Sequence, residues 1–383
     1  MPRKKVLVHL DSSRGYSRDL LRGIYAYNNS VSHWDIIFEP AYFLKNNKKR
    51  NDLGIIKQVK PDGCILEFAE NVPDLIAMNI PIIQTTSVNL VKKIPYVKGN
   101  YVSDAHVAAE YFIGKGFKIF AFFGIEGLEW SEERKSNFQK MTLDYGGEFY
   151  EYSLKGDEAD VLSHNFDELE NWLKHLPKPV GILCCNDDFG QILINSCSAA
   201  GIKVPHEIAV LGIDNDELLC NITHPNLSSI RRNHIKTANA ICSKLNSMME
   251  GQKHTDEIIF TEAMEVIERT STDTIVNSDP DVSKAISFIS NNIHRTLKTS
   301  TVAEHVNLSV KVLNRKFKVG SGNTISEEIQ MRKLSRFKQL LLANLSVKEI
   351  AFELGFTDIS HVSRWFSNLE GVAPMEWKKK YAG

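Results

Sequence analysis

The chain has 383 residues, 43% of them hydrophobic and 24% charged, with a formal net charge of −1; that length exceeds one ordinary domain and predicts two or three. No run of about 18 apolar residues occurs, which excludes a transmembrane helix, and Val6–Leu10 after Arg3, Lys4 and Lys5 is too short for a signal-peptide core. Residues 280–383 carry 16 Lys and Arg against 9 Asp and Glu, net +7, and the remainder 30 against 38, net −8.

A basic end on an acidic body points to a chain of which only the end meets a polyanion. A solvated surface of uneven charge is the plainer alternative. The chain reads as cytoplasmic. Cys64, Cys184, Cys185, Cys197, Cys220 and Cys242 lie on apolar segments without C-x-x-C spacing. Buried reduced thiols are expected rather than disulfides or zinc. Neither a metal nor a cofactor is predicted.

In chain order, residues 4–272 alternate strand-like and helix-like segments. Lys5–Leu10 reads as a strand and Tyr16–Asn28 as a helix. Trp34–Phe38 (strand), Leu53–Val59 (helix), Gly63–Leu66 (strand), Pro73–Met78 (helical turn) and Ile82–Ile83 (strand) follow. Val102–Ile113 is helical, Lys118–Phe123 a strand, Ser131–Tyr145 helical and Glu148–Tyr152 a strand. Next come Phe166–Leu176 (helix), Val180–Cys185 (strand), Phe189–Ala200 (helix), Ile208–Ile213 (strand) and Ile235–Met249 (helix). Ile258–Phe260 and Met264–Glu268 close the region as short strands. Strict alternation with Val/Ile-rich strands predicts parallel sheets covered by helices. Some ten strands in about 270 residues suit two such layers better than one.

Polar residues 273–280 read as a linker between residues 1–272 and an all-helical domain at 281–383. Pro280 and Asp281 suit a helix start, and Val282–Leu297 reads as that helix. One pattern is then written twice. Val302-Ala303-Glu304-His305-Val306-Asn307-Leu308-Ser309 leads into Leu313–Phe317. About 48 residues on, Ile350-Ala351-Phe352-Glu353-Leu354-Gly355-Phe356-Thr357 leads into Val362–Phe366. Each copy has apolar residues at helical spacing and a small Ala for a close crossing. Asn307 or Gly355 is the turn residue, tolerating left-handed backbone. Ser309 or Thr357 follows as a candidate N-cap. This is helix-turn-helix grammar. The long helix Ile325–Ala343, about 30 Å at 1.5 Å per residue, joins the copies, and Pro374 opens a last helix, Met375–Tyr381.

The strand end Cys185-Asn186-Asp187-Asp188-Phe189-Gly190, with Ala200–Asn215 and Glu268-Arg269-Thr270-Ser271-Thr272, resembles the effector-binding core of the LacI/GalR regulators. That resemblance covers roughly residues 4–272. It implies a two-lobed α/β fold of the type I periplasmic-binding-protein kind, with ligand between the lobes. Ser346–Phe356, Arg364-Trp365-Phe366 and Glu370–Trp377 resemble the DNA-binding domain of the AraC/XylS family, over residues 280–383. Lys333, Phe337, His361 and Val362 stand where that family usually has other residues, which unsettles base preference rather than fold. LacI/GalR proteins carry their DNA-binding module ahead of the first strand, whereas this sequence starts directly with Lys4-Lys5-Val6, so regulatory output is expected from elsewhere. A LacI-like core with an AraC-like tail resembles the xylose-operon class of bacterial regulators. The implied effector is a sugar, a pentose such as D-xylose. The implied partners are double-stranded operator DNA, RNA polymerase and a second copy in a homodimer, with no membrane.

A sugar cleft needs carboxylates, Asn and Arg on loops, with an aromatic wall, and such groups collect at the carboxyl ends of parallel strands. Asp214, Asn186 and Asp187 sit at such ends. The LacI/GalR resemblance implies ligand contacts for Arg134 and Asp214. Trp130 is a candidate stacking wall, or a core residue. Asn186 and Asp187 could instead cap their helix. From the other lobe, the loop Asp11–Arg18 offers Tyr16 and Arg18, and Glu67 follows the third strand. In the tail, Lys311, Asn314 and Arg315 on one recognition helix and Ser360, Ser363 and Arg364 on the other are candidates for bases or adjacent phosphate. Lys316, Lys318 and Lys378–Lys380 suit sequence-independent attraction. Leu313, Phe317, Val362 and Phe366 read as core. The leading reading is a ligand-gated transcription activator. An enzyme using Asp187, Asp188, Asp214, Asp216 and Glu217, a constitutive architectural protein, and a regulator answering to a purine, nucleoside or amino sugar remain as rivals.

Overall fold

The computed structural model describes residues 3–38, 52–67, 77–86, 94–155, 166–252, 257–274, 276, 279–342, 345–356 and 361–381. The first lobe is built from β1 (Lys5–His9), α1 (Gly15–Tyr27), β2 (Asp35–Phe38), α2 (Asp52–Val59), β3 (Gly63–Leu66), β4 (Ile82–Gln84) and β5 (Tyr96–Gly99). The chain then crosses to a second lobe. This contains α3 (Tyr101–Gly114), β6 (Ile119–Ile125), α4 (Glu129–Asp144), β7 (Glu148–Leu154), α5 (Asp167–His175), β8 (Val180–Cys184), α6 (Asp187–Ala199), β9 (Ile208–Ile213), α7 (Glu217–Ile222) and β10 (Ser228–Arg232). It returns with α8 (His234–Met249) and β11 (Ile258–Thr261), and crosses a third time to β12 (Ala263–Ile267).

Each lobe has one six-stranded sheet, ordered β11-β5-β4-β3-β1-β2 and β12-β10-β9-β8-β6-β7. Pairing is parallel except between β10 and β12. Every residue of β8 and β9 is buried, as expected of parallel strands covered by helices on both faces. All six cysteines are buried and none forms a disulfide.

Two strands and one helix escaped the sequence reading. Only half of β5, Tyr-Val-Lys-Gly, is apolar, and β10 is Ser-Ser-Ile-Arg-Arg. Yet Ser228 and Ser229 are fully buried. They satisfy their hydroxyls internally, Ser228 donating to the Arg269 carbonyl at 3.0 Å and Ser229 to Asp187 at 2.5 Å. The short α7 was also missed. The helical turn read at 73–78 falls mostly outside the described residues.

The tail is all helical: α9 (Pro280–Asn291), α10 (Thr299–His305), α11 (Val310–Ser321), α12 (Ile325–Leu342), α13 (Val347–Glu353), α14 (Val362–Glu370) and α15 (Pro374–Tyr381). Helix α9 stops six residues before the predicted Leu297, at a pair of asparagines that favour turns over helix interiors. Asn307 and Gly355 take left-handed φ of 56° and 62°, and Ser309 caps α11. Thr357 lies outside the described residues. Leu313, Phe317, Ile325 and Ile329 belong to one small core, and Phe337, Leu341, Val362 and Phe366 to another. Helix α12 therefore serves both units.

Arg332 on α12 joins tail to sensor. It is 6% exposed and donates to the Asp273 carbonyl at 3.0 Å and carboxylate at 2.5 Å, to Ser290 Oγ at 2.6 Å and to Glu328 at 2.7 Å.

Candidate functional site

A cleft lies between the lobes, lined from the first by Arg14, Tyr16, Glu67, Thr85, Thr86, Val97 and Gly99. Tyr101, Trp130, Arg134, Asn186, Asp214 and Arg232 line it from the second lobe. Most of these follow the carboxyl ends of parallel strands, where loops converge in open α/β sheets.

Two buried arginines and two aspartates form its floor. Arg134 and Arg232 are 4% and 5% exposed, and Asp104 beneath them is fully covered. Arg134 Nε donates to Asp104 Oδ2 at 3.1 Å, and Arg232 Nε lies 3.3 Å from Asp104 Oδ1. Asp214 Oδ1 lies 3.9 Å from Arg134 Nη2 and 3.7 Å from Arg232 Nη1. It has no hydrogen-bond partner among the described residues. Burial alone would lower the Arg134 pKa, but Asp104 and Asp214 outweigh it and hold the guanidinium above its ordinary value.

The wall is aromatic. The Arg134 guanidinium lies 5.5 Å from the Trp130 ring centre and 5.4 Å from that of Tyr101, within cation–π range. Tyr16 donates to the Thr85 carbonyl at 2.9 Å and stands edge-on to His234. Burial raises the Tyr16 pKa, so the phenol stays protonated. Glu67 accepts from the Asp11 amide at 2.5 Å and from Ser17 Oγ at 2.9 Å, and burial pushes its carboxyl above the usual range. Asn186 caps α6, accepting from the Phe189 amide at 3.0 Å, and still lines the cleft.

Two predicted ligand residues belong elsewhere. Both oxygens of Asp187 are engaged inside the second lobe, accepting from Ser229 Oγ at 2.5 Å and from the Asp216 amide at 2.7 Å. Arg18 turns away from the cleft to the Ser12 and Ser13 carbonyls and to Asp216. The loop Asp11–Arg18 does reach the cleft, with Tyr16 and with Arg14 rather than Arg18. Arg232 was missed because its strand was missed. Its signal is an arginine at the carboxyl end of Leu227–Ile230, after two serines.

In the tail, Lys311 and Arg315 are exposed on α11, and Ser363 and Arg364 on α14. Ser360 lies outside the described residues. Asn314 and Lys316 are engaged within the protein. Asn314 Oδ1 accepts from the Ile325 amide at 3.0 Å, at the start of α12. Lys316 Nζ binds Asp279 at 2.7 Å and Asp281 at 2.8 Å, so its charge is already compensated. Helix α12 has 18 residues, about 27 Å, close to the roughly 34 Å between successive major grooves. Among the described residues no helix is long and apolar enough to cross a membrane.

Comparison with known proteins matches residues 109–272 to a periplasmic binding protein-like domain and 302–380 to a helix-turn-helix domain. The xylose operon regulatory protein of Escherichia coli (strain K12) is 26% identical over 98% of this chain and 97% of its own. A probable HTH-type transcriptional repressor, ExuR of Bacillus subtilis (strain 168), is 30% identical over 68% of this chain and 74% of its own. The solved structure of the xylose-binding transcription activator xylR superposes with a TM-score of 0.75 at 24% identity, covering 100% of both chains.

Proposed function

Because the chain belongs to the family of the xylose operon regulatory proteins, DNA-binding transcription regulators with a LacI-like sensor ahead of an AraC/XylS-type reader, we propose that it is an activator whose cleft takes an uncharged pentose, D-xylose first. The observation that carries the ligand class is the charge balance of the floor. Arg134 and Arg232 face Asp104 and Asp214, and Arg14 faces Asp188. With Asp104 and Asp188 behind the lining counted, the site holds no surplus of positive charge for an acidic ligand. A polyol suits it instead. One hydroxyl donates to Asp214 Oδ1, which has no hydrogen bond among the described residues, and accepts from a guanidinium, while Trp130 or Tyr101 covers a C–H face.

Residues 1–272 act as sensor, 273–280 as linker and 281–383 as reader. Lys311, Arg315, Ser363 and Arg364 are the residues that face DNA, their two helices entering successive major grooves. A homodimer in the cytoplasm brings two such tails to one operator, and RNA polymerase is the downstream partner.

Thermal unfolding across pentoses, hexoses, nucleosides and sugar acids tests the reading. Ligand at about a hundred times its Kd adds roughly 2.7 kcal/mol to the state that binds it. D-xylose should raise Tm, and Asp214→Ala should abolish the rise. Stabilisation by a sugar acid but not by neutral pentoses would overturn the charge-balance argument. Stabilisation by a nucleoside would replace the effector.

A further inference from the structure

The loop between β1 and α1 and the first turn of α1 meet the second lobe at two ion pairs. Arg18 Nη2 lies 2.5 Å from Asp216 Oδ2, with the side chains 25% and 15% exposed. Arg14 Nη1 lies 3.6 Å from Asp188 Oδ2. The backbone comes equally close, since a Cβ added to Gly15 would stand 2.6 Å from the Asp216 Cβ. A side chain there would push the lobes apart.

Both members of the tighter pair are set in advance. Arg18 Nη1 donates to the carbonyls of Ser12 at 3.1 Å and Ser13 at 2.6 Å, which fixes the guanidinium against the loop preceding its helix. Asp216 accepts from the Leu218 amide at 3.2 Å as N-cap of α7, and its own amide donates to Asp187 at 2.7 Å. Arg18 and Asp216 are anchored in different lobes, so their contact exists only when the cleft is shut. Of the four ion-pairing residues, only Arg14 also lines the cleft.

We propose that Arg18–Asp216, helped by Arg14–Asp188, is an inter-lobe latch that holds the cleft closed and so sets the sensor's sugar affinity from outside the sugar's contacts. A contact made only in the closed state raises that state's population, and apparent affinity scales with the population competent to bind. The pairs are partly solvated, so salt weakens them. Binding of an uncharged sugar should then weaken with ionic strength, although the sugar carries no charge to be screened. The inference rests on the sugar-sensor reading for the ligand's identity alone.

Calorimetric titration of the full-length protein with D-xylose, at about 0.05 M and about 0.5 M salt, tests it. Asp216→Asn keeps an N-capping side chain but removes the charge. Together with Arg18→Gln it should raise Kd by roughly two- to fivefold at low salt, and each variant should lose most of the wild-type salt dependence. The charge-swapped pair Arg18→Asp with Asp216→Arg should recover part of the loss. Unchanged affinity in both single variants, or losses that add without coupling, would overturn the latch. Small-angle scattering without ligand separates this from failure of the sugar reading. Asp216→Asn should be more expanded than wild type at low salt, and wild type should expand as salt rises. Identical radii throughout would sink the latch even if no sugar binds, whereas the expected expansion with no sugar binding would leave the latch standing and remove D-xylose.

Discussion

Asp214 and Asn215 hold φ of 101° and 53°, conformations uncommon for residues other than glycine. The distortion leaves the Asp214 carboxylate between two guanidiniums at the end of β9, with Oδ1 lacking a hydrogen bond among the described residues. Strain of this kind is held in place by its surroundings. Here Arg269 donates to Asn215 Oδ1 at 2.9 Å and the Asn215 amide to Ser229 Oγ at 3.0 Å. His234 illustrates a different cost. Its ring lies buried against Tyr16, neither nitrogen has a hydrogen-bond partner among the described residues, and its pKa is lowered to about 4. Burial is the main cause; Asp214 opposes it and Arg232 adds to it. The folded state therefore resists a proton that the unfolded state accepts near pH 6.5, and stability falls as pH drops from about 6.5 to about 4. The loss should approach roughly 3 kcal/mol. His234→Phe, which keeps an aromatic edge for Tyr16, should flatten that limb in urea unfolding followed against pH. Arg134 and Asp214 were legible at this scale through family resemblance. Arg232 was not, because its strand was not, and its pairing with Asp104 across 128 residues of sequence has no local signature.

The two helix-turn-helix copies share a pattern but not an environment. At Gly355 an added Cβ would stand 2.7 Å from the Arg295 Cα and from the His294 carbonyl oxygen. The Gly355 carbonyl also accepts from Thr296 Oγ1 at 2.8 Å, so this turn docks on the first unit. Asn307, at φ 56°, needs only the backbone conformation. Gly355→Ala should destabilise the tail by more than the roughly 1–2 kcal/mol of left-handed strain, because the backbone contact must also open. Asn307→Gly should change stability by less than about 1 kcal/mol. Thermal unfolding of the two variants decides between a docking role for Gly355 and a purely conformational one. Both turns were legible from residue type; that only one meets a neighbouring loop was not.

Across the whole molecule, sensor and reader meet at Arg332. Its guanidinium links Asp273 at the start of the linker, Ser290 on α9 and Glu328 on α12, the helix that spaces the recognition helices. Glu328 is 1% exposed, so removing its partner strands a buried carboxylate at a cost of about 3–5 kcal/mol. Arg332→Met should speed proteolytic separation of sensor from reader and leave the sugar-induced rise in sensor Tm intact. Adding Glu328→Leu should recover part of the stability without restoring the link to Asp273. Equal cleavage rates in Arg332→Met and wild type would place the restraint elsewhere in the joint.

By itself the sequence determined the two-layer α/β sensor and the doubled helix-turn-helix tail. Those features are written in short-range periodicity, in turn residues and in the charge difference between the parts. Tertiary structure decided which arginine of the loop Asp11–Arg18 enters the cleft, that Asp187 and Lys316 are spent on internal partners, and that Arg232 completes the floor. Each of those depends on which side chains the folded sheets and helices bring within about 3–4 Å, the range over which a hydrogen bond or ion pair forms, and no local pattern encodes that distance.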